Sequence, residues 1–141
     1  MSEGPLNRQQ IQERLLVSPF NAFLNLEVVT ADAAKQELVM RLKMRPELER
    51  GAGTGQWHGG PIAAAIDIAG DYGLAMLLGE PLPTINLRVD YLRPGKGTLT
   101  LVARIRRSGK TVGVVDIDVL NEAGTLVAIG RANYSTATGA S

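Results

Sequence analysis

The stretch that decides the fold reads WHGGPIAAAIDIAGDYGLAMLL and covers residues 57–78. Two glycines and a proline open it, and most later positions are Ala, Gly, Ile, Leu or Met, which predicts one long helix over 60–78. A helix that is apolar almost all round is expected to be buried. Its small side chains allow neighbouring backbone to approach closely, so we expect this helix to lie inside a concave sheet.

Segments of alternating apolar and polar residues flank this helix and predict strands. Before it, Pro19 turns the chain, and period two over 23–28 and 38–44 indicates a half-buried antiparallel hairpin. After it, the strand-like segments are 85–91, 99–106, 111–120 and 125–134. A change of phase near Val114 and Val115 predicts a bulge. Strands grouped around one helix indicate an α+β domain of the hotdog type, a sheet wrapped around a helix.

The chain is long enough for one domain with a hydrophobic core, and no internal repeat or linker divides its 141 residues. We therefore expect a single hotdog domain over 1–141, with its core at about 24–135 and a short helix at about 6–17. The apolar side of that helix is expected to carry Ile11, Leu15 and Leu16.

Composition excludes several classes of protein. The net charge of +1 argues against a strongly basic nucleic-acid binder. The absence of cysteine excludes disulfides, thiolate metal sites and a cysteine nucleophile, and a single histidine argues against a zinc site. Residues 1–10 are polar without the apolar core of a signal peptide, and two aspartates interrupt the apolar stretch 61–78. We expect a cytoplasmic protein with no metal, membrane or nucleic acid.

The start of the long helix can bind an anion. Gly59 and Gly60 leave room for a carbonyl oxygen, and Pro61 lies in the first turn, where a missing N–H is harmless. The free N–H groups of that turn and the positive end of the helix dipole can stabilise a developing oxyanion.

Asp67 lies two turns further along the same helix, in an Ala- and Ile-rich context. Burial of a carboxylate there is costly unless something pairs with it. The amides at the start of its own helix are roughly 10 Å away at about 1.5 Å per residue. A second subunit could instead place its Asp67 beside the first subunit's glycine amides, which would assemble one base and one oxyanion site per interface.

These residues resemble a known family. His58-Gly59-Gly60 opening a helix, with Asp67 nine residues after the histidine, resembles the phenylacetate-degradation (PaaI-like) branch of the hotdog acyl-CoA thioesterases. Later segments that are similar to that branch are 89–94, 109–111 and 124–128. The resemblance extends over about 25–134. It implies hydrolysis of an acyl-CoA thioester without a cofactor, in a homodimer or a homotetramer built as a dimer of dimers.

The resemblance also implies roles for individual residues. The Gly59 amide polarises the thioester carbonyl, with Gly60 beside it, and Asp67 from the neighbouring subunit acts as nucleophile or as general base toward water. The sequence does not decide between those two roles. For His58, the residues favour a structural role in fixing the loop and the helix start over that of a general base.

Two positions depart from the family pattern. Ala52 stands where members often carry Asn or Gln, and Gln56 or Thr54 are the candidates to replace it. Asp71 stands one turn after Asp67, where relatives commonly have Ser, Thr or an apolar residue. We expect it either to support the site, by orienting water or shifting substrate preference, or to hold a structural hydrogen bond. Two carboxylates at i and i+4 share a helix face, so we expect their repulsion to raise the pKa of one of them.

Substrate contacts are predicted from residue type. The candidates are Trp57 and Gln56 near the helix start and, for the phosphates of CoA, the basic residues Arg93, Lys96 and Lys110. Two other functions stay open, a non-catalytic domain that binds acyl-CoA and an enoyl-thioester hydratase. A hydratase needs a histidine paired with an acid in a different local pattern. The segment 84–93 is expected to pair with its own copy across a two-fold axis.

Overall fold

The computed structural model describes residues 4–137, so both ends of the predicted domain, 1–3 and 138–141, lie outside the described residues. The strands are β1 (Glu27–Asp32), β2 (Glu37–Leu42), β3 (Thr84–Tyr91), β4 (Leu99–Ser108), β5 (Val112–Leu120) and β6 (Leu126–Ser135). The helices are α1 (Arg8–Leu15), α2 (Pro19–Leu24) and α3 (Gly59–Leu78), with a 3-10 helix at Pro46–Leu48. The strands form one antiparallel sheet in the order β1-β2-β4-β5-β6-β3.

Helix α3 lies in the concave face of this sheet and contacts β2, β3, β4, β5 and β6. Glycines of the sheet make the close approach possible. A Cβ on Gly130 of β6 would lie 2.5 Å from the Ile66 side chain, and one on Gly113 of β5 would lie 2.6 Å from Leu74. The predicted α+β hotdog arrangement, one long helix wrapped by an antiparallel sheet, is therefore confirmed.

Helix α3 is also long and apolar enough to cross a membrane, judged by length and composition alone. In the fold, however, 61% of that apolar stretch is buried inside the protein. Its apolar character is accounted for by its place as the core helix of the sheet.

The N-terminal region differs from the prediction. Pro19 does not simply turn the chain, because it occupies the first turn of α2, where the Ser18 side chain caps the helix. Leu24 is a buried helix residue, and Asn25 ends the helix in the left-handed region with φ 58°. The strand expected from residue 23 begins only at Glu27. A short run of alternating residues is compatible with a strand or with a helix. Here a helix forms, because Ser18 and Pro19 provide the signal that starts one.

Helix α1 is shorter than the predicted 6–17. Asn7 and Gln10 form a reciprocal capping box at its start, which sets the first helical residue. Ile11 and Leu15 are fully buried as predicted, whereas Leu16 follows the last helical residue and is 43% exposed. The prediction for Leu16 was wrong because the helix ends before that position can turn toward the core.

The predicted bulge is present, but on the neighbouring strand. The register of the β4–β5 pair shifts between Ile105 and Arg107, which lie opposite Val115 and Val114. The extra residue is therefore Arg106 of β4. The change of phase in β5 marked the place correctly, since a bulge disturbs both strands of a pair.

The two edge strands of the sheet, β1 and β3, differ in whether their free backbone groups are covered. The backbone of β1 is covered by α1, where the Gln12 side chain accepts from the Val28 N–H at 2.7 Å and donates to the Leu26 carbonyl at 3.0 Å. Strand β3 pairs only with β6, and Ile85 on it is 53% exposed. Within residues 4–137, β3 is thus the edge open to pairing with another strand.

Candidate active site

One backbone N–H in the first turn of α3 has no acceptor in the part of the chain that the structure describes. The His58 N–H donates to the Leu48 carbonyl at 2.9 Å, and the Gly60 N–H donates to Nδ1 of His58 at 2.8 Å. The Gly59 N–H has no acceptor among residues 4–137. Gly59 therefore presents the free donor that an oxyanion site requires. Gly60 does not, because the His58 ring caps the helix through it, which is the structural role favoured for this histidine.

A cavity of about 560 Å³ opens in front of Gly59. Apolar side chains of Trp57, Ile62 and Leu92 form part of its wall, and Arg93 lies on its rim. Trp57 is only 4% exposed, and its Nε1–H donates to the Gly97 carbonyl at 2.7 Å. The structure thus brings four predicted residues together around one cavity: Trp57, His58, Gly59 and Arg93.

Tyr91, at the end of β3, also lines this cavity and was not among the predicted site residues. Its hydroxyl donates to the Gly59 carbonyl at 2.6 Å. A Cβ on Gly59 would lie 3.2 Å from the same phenol, so a side chain there would press on the ring. Partial burial raises the pKa of Tyr91, which keeps the hydroxyl protonated as a donor. Tyr91 therefore attaches the end of the edge strand to the start of α3.

Asp67 is half-buried and does not line the cavity of its own chain. Its Oδ1 accepts a hydrogen bond from the Thr84 hydroxyl at 2.8 Å, at the first residue of β3. Its carbonyl accepts from the Tyr134 hydroxyl at 2.6 Å. Burial, reinforced by the charges of Asp67 and Asp71, raises the pKa of Tyr134 and keeps that hydroxyl a donor. Asp67 is thus held at the start of β3, as Gly59 is held at its end.

Asp71 is the second carboxylate of the same helix face. Its Oδ1 accepts from the Leu82 N–H at 2.7 Å, which fastens the segment before β3 onto the helix. Burial raises the pKa of Asp71 to about 7, the Leu82 hydrogen bond opposes the shift, and the charge of Asp67 adds to it. The repulsion expected between the two aspartates is present, but loss of water is the larger cause.

This shift predicts how stability depends on pH. Because the pKa of Asp71 rises from 3.8 to about 7 on folding, the folded state holds its proton more tightly than the unfolded state. The stabilisation of the folded state that comes from this tighter proton binding at Asp71 is fully present below pH 3.8 and is lost as the pH rises to about 7. We expect the wild type to lose about 3 °C or more of Tm between pH 5 and pH 8 relative to Asp71→Asn. The asparagine can still accept from the Leu82 N–H.

Thermal unfolding at both pH values measures this difference. The matched control is Asp90→Asn, a carboxylate on the outer face of the sheet that is 41% exposed and should keep the wild-type pH dependence. Parallel behaviour of wild type and Asp71→Asn would show that Asp71 does not titrate in this range.

Three other predicted positions do not join the cavity wall. Gln56 is half-buried opposite Lys96 in an isolated bridge, close to the cavity but not lining it. Lys110 lies on the hairpin after β4, whose ten residues separate it from the cavity by about 30 Å. Within one chain the structure therefore separates Lys110 from Arg93 and Lys96, because the basic residues near turns belong to opposite ends of the sheet.

The glycine-rich loop before α3 is closed by a residue that the sequence did not single out. The Glu49 carboxylate accepts from the N–H groups of Gly53 at 3.1 Å and Gly55 at 2.7 Å. Thr54 donates its hydroxyl to the Gly51 carbonyl at 2.6 Å, so it serves the turn of the loop. Ala52 is exposed in the same loop. The signal for Glu49 was an acid just before a run of glycines whose amides need acceptors.

The family of the protein follows from comparison with known proteins. The model of the thioesterase superfamily matches residues 54–128, more than half of the chain and all of its central helix. This chain belongs to that superfamily. A crystal structure titled as a protein of the same superfamily superposes with a TM-score of 0.82 at 35% identity, covering 91% of this chain and 96% of the other.

The names of individual relatives bear on the class of reaction. "Putative esterase VNG_1336C" of Halobacterium salinarum is 38% identical over 120 residues, 77% of this chain and 80% of its own length. The Escherichia coli "Medium/long-chain acyl-CoA thioesterase YigI" is 31% identical over 137 residues, 82% of this chain and 84% of its own. The family and YigI support hydrolysis of a thioester as the reaction class, while the relative at 38% identity carries only the name of an esterase.

The PaaI-like branch of the family, which the sequence predicts, is compared with this chain through E. coli PaaI. The Escherichia coli "Acyl-coenzyme A thioesterase PaaI" is 36% identical over 81 residues, which is 52% of this chain. The E. coli PaaI structure has a TM-score of 0.76 at 23% identity, which shows the shared fold alone. Thioesterase and hotdog membership are therefore established, while membership of the PaaI-like branch and a place in phenylacetate degradation stay predictions.

Proposed function

We propose that this protein hydrolyses acyl-CoA thioesters to a free acid and CoA, at a site shared between two subunits. The observation that carries the proposal is the Gly59 amide, which has no acceptor within residues 4–137 and lies at a cavity whose wall is partly apolar, with the Asp67 carboxylate held elsewhere on the same helix. An unpaired N–H at a helix start is suited to a developing oxyanion. A carboxylate that its own chain keeps outside the cavity needs a partner to reach the substrate.

The attachment of β3 to α3 supports the same two-subunit site. Thr84 at the start of the strand bonds Asp67, and Tyr91 at its end bonds the Gly59 carbonyl. When two copies of β3 pair antiparallel across a two-fold axis, the start of one strand lies beside the end of the other. Asp67 of the partner subunit then comes next to Gly59. The open edge of β3 makes a homodimer, or a tetramer of two such dimers, the proposed assembly.

The chemistry that we propose needs no metal or cofactor. The Gly59 N–H and the dipole of α3 polarise the thioester carbonyl. Asp67 of the partner subunit either takes a proton from a water that attacks the carbonyl carbon, or attacks that carbon itself. The oxygen becomes an anion held by Gly59, the carbon–sulfur bond breaks, and the CoA thiolate leaves and is protonated. In the second case, water then hydrolyses the anhydride that joins the acyl group to Asp67.

The substrates that we propose are medium- and long-chain acyl-CoAs. The support is the likeness to YigI over most of both chains and the apolar part of the cavity wall. The cavity of about 560 Å³ lies within the usual range of small-molecule sites, roughly 300–1,000 Å³. Such substrates agree with the expected cytoplasmic location.

A panel of acyl-CoAs tests the proposal directly. Free thiol release is followed for straight-chain acyl-CoAs of increasing length and for phenylacetyl-CoA, with binding measured in parallel. We expect turnover of the medium and long chains with a higher kcat/KM than for phenylacetyl-CoA. Tight binding of acyl-CoA without release of thiol would reject the hydrolase and favour the acyl-CoA-binding domain, a reading that Ala52 supports.

A further inference from the structure

Tyr91 is the side chain of the cavity wall that is hydrogen-bonded to Gly59. Its hydroxyl donates to the Gly59 carbonyl at 2.6 Å, and both its Cζ and its hydroxyl oxygen would lie 3.2 Å from a Cβ placed on Gly59. The phenol therefore packs directly against the residue that carries the free N–H. Tyr91 is still 52% exposed, so the rest of the side chain faces the cavity.

The direction of the Gly59 N–H depends on support from other residues. Gly59 has no side chain, and its backbone can therefore rotate more freely than that of other residues. On the N-terminal side, the His58 N–H donates to the Leu48 carbonyl at 2.9 Å, and the His58 ring accepts from Gly60. The Tyr91 hydroxyl holds the carbonyl of Gly59, on the other side of its Cα. A donor that points the right way before the reaction is what makes an oxyanion site effective.

Tyr91 can hold Gly59 because its own backbone is fixed by the sheet. It pairs with Ala128 of β6, and the next residue, Leu92, donates its N–H to the Val127 carbonyl at 2.9 Å. The hydrogen bond from Tyr91 thus joins the first residue of α3 to the last residue of the open edge strand β3. In the proposed dimer that strand is paired on both sides, which holds the phenol more firmly.

We propose that Tyr91 is a positioning residue for thioester hydrolysis, which keeps the Gly59 N–H pointing at the developing oxyanion. The inference rests on the proposed function and adds a residue to its site. The hydroxyl donates its hydrogen to the Gly59 carbonyl, so Tyr91 acts through Gly59 and not on the thioester. Its effect should therefore fall on the transition state, where the negative charge forms, and not on the binding of the substrate.

Tyr91→Phe removes the hydroxyl and keeps the ring against Gly59. We expect kcat to fall about tenfold while KM stays within about twofold of the wild-type value. The fall should be equal for acyl-CoAs of every chain length, because each thioester forms the same oxyanion. A rise in KM that depends on the acyl chain, with kcat retained, would overturn the proposal and assign Tyr91 to substrate binding.

The motion of the Gly59 amide gives a second readout that needs no substrate. Protein labelled with 15N in its glycines is studied by NMR relaxation, and the Gly59 signal is identified by its absence from Gly59→Ala. We expect an order parameter of about 0.85 in the wild type and below about 0.6 in Tyr91→Phe. A loss of kcat with an unchanged order parameter would also overturn the proposal, because the hydroxyl would then act on the substrate itself.

The matched control is Tyr72→Phe, the same substitution within α3. The Tyr72 hydroxyl bonds the Asn21 side chain of α2, and Tyr72 does not line the cavity. This variant should keep kcat within about twofold of the wild-type value, and also the order parameter of Gly59.

The two readouts also keep this test apart from the proposed function. If the wild type hydrolyses no thioester, the hydrolase falls, while a Gly59 amide that loosens only in Tyr91→Phe would still establish that Tyr91 orders it. If the wild type hydrolyses acyl-CoA and Tyr91→Phe retains both kcat and the order parameter, the hydrolase stands and the positioning role falls.

Discussion

Asp67→Asn should lower kcat for acyl-CoA hydrolysis by about two orders of magnitude or more. An amide cannot take a proton from water and is a poor nucleophile, so both proposed roles of this residue are lost. The asparagine Oδ1 can still accept from the Thr84 hydroxyl, which makes a large change in the fold unexpected. The measurement is steady-state thiol release, with KM obtained in the same experiment.

A suitable control for this variant is Asp90→Asn. Asp90 lies on the same edge strand that Thr84 begins, but its carboxylate faces outward and pairs with Arg88 at 3.3 Å. It should keep the wild-type kcat within about twofold. Retention of more than about a tenth of the wild-type kcat by a folded Asp67→Asn would remove Asp67 from the chemical step.

The second large effect is the recovery of activity when two inactive variants form a hybrid dimer. Gly59→Val should be inactive, because its side chain fills the space before the amide and presses on Tyr91. A hybrid of Gly59→Val with Asp67→Asn contains one interface site with both groups intact and one site with neither. We expect such a dimer to show about half of the wild-type activity, against about 1% or less for either parent.

The hybrid is prepared by co-expressing the two variants with different tags and purifying on both. Its control is a doubly tagged Asp67→Asn dimer, which should stay at the background rate. A hybrid as inactive as its parents would place Asp67 and Gly59 of one site in the same chain. That result would contradict the two-subunit site while leaving thioester hydrolysis itself untouched.

Much of the fold could be predicted because its signals are local. The Ala-, Gly- and Ile-rich helix and the strands after it were found from periodicity, which depends only on neighbours in the chain. The failures occurred where two local signals competed. Around Leu24 a short alternation suggested a strand, but Ser18 and Pro19 start a helix there. Leu16 stays exposed because α1 ends at Leu15, one residue before it.

Candidate site residues could be predicted only where a single segment of the chain carries the signal for them. Gly59 and Asp67 could be singled out as candidates because a helix start and a carboxylate in an apolar helix are visible in the sequence. Thr84 and Tyr91 were missed because their partners lie 17 and 32 residues away in the chain. No spacing rule marks a tyrosine at the end of one strand as the neighbour of a glycine on a helix.

The sequence by itself determined the buried helix and the antiparallel strands, and it singled out the candidate positions for an oxyanion site and a base, since these follow from side-chain size and backbone geometry along one segment. Only the tertiary structure decided that, within residues 4–137, the Gly59 N–H has no acceptor while the Gly60 N–H donates to His58. It also decided that β3 is the open edge, that Asp71 is buried away from water, and that Tyr91 and Arg93 line the same cavity as Gly59. The physical reason is that hydrogen-bond partners, burial and charge neighbours depend on how distant segments pack, which the order of strands sets and periodicity does not encode.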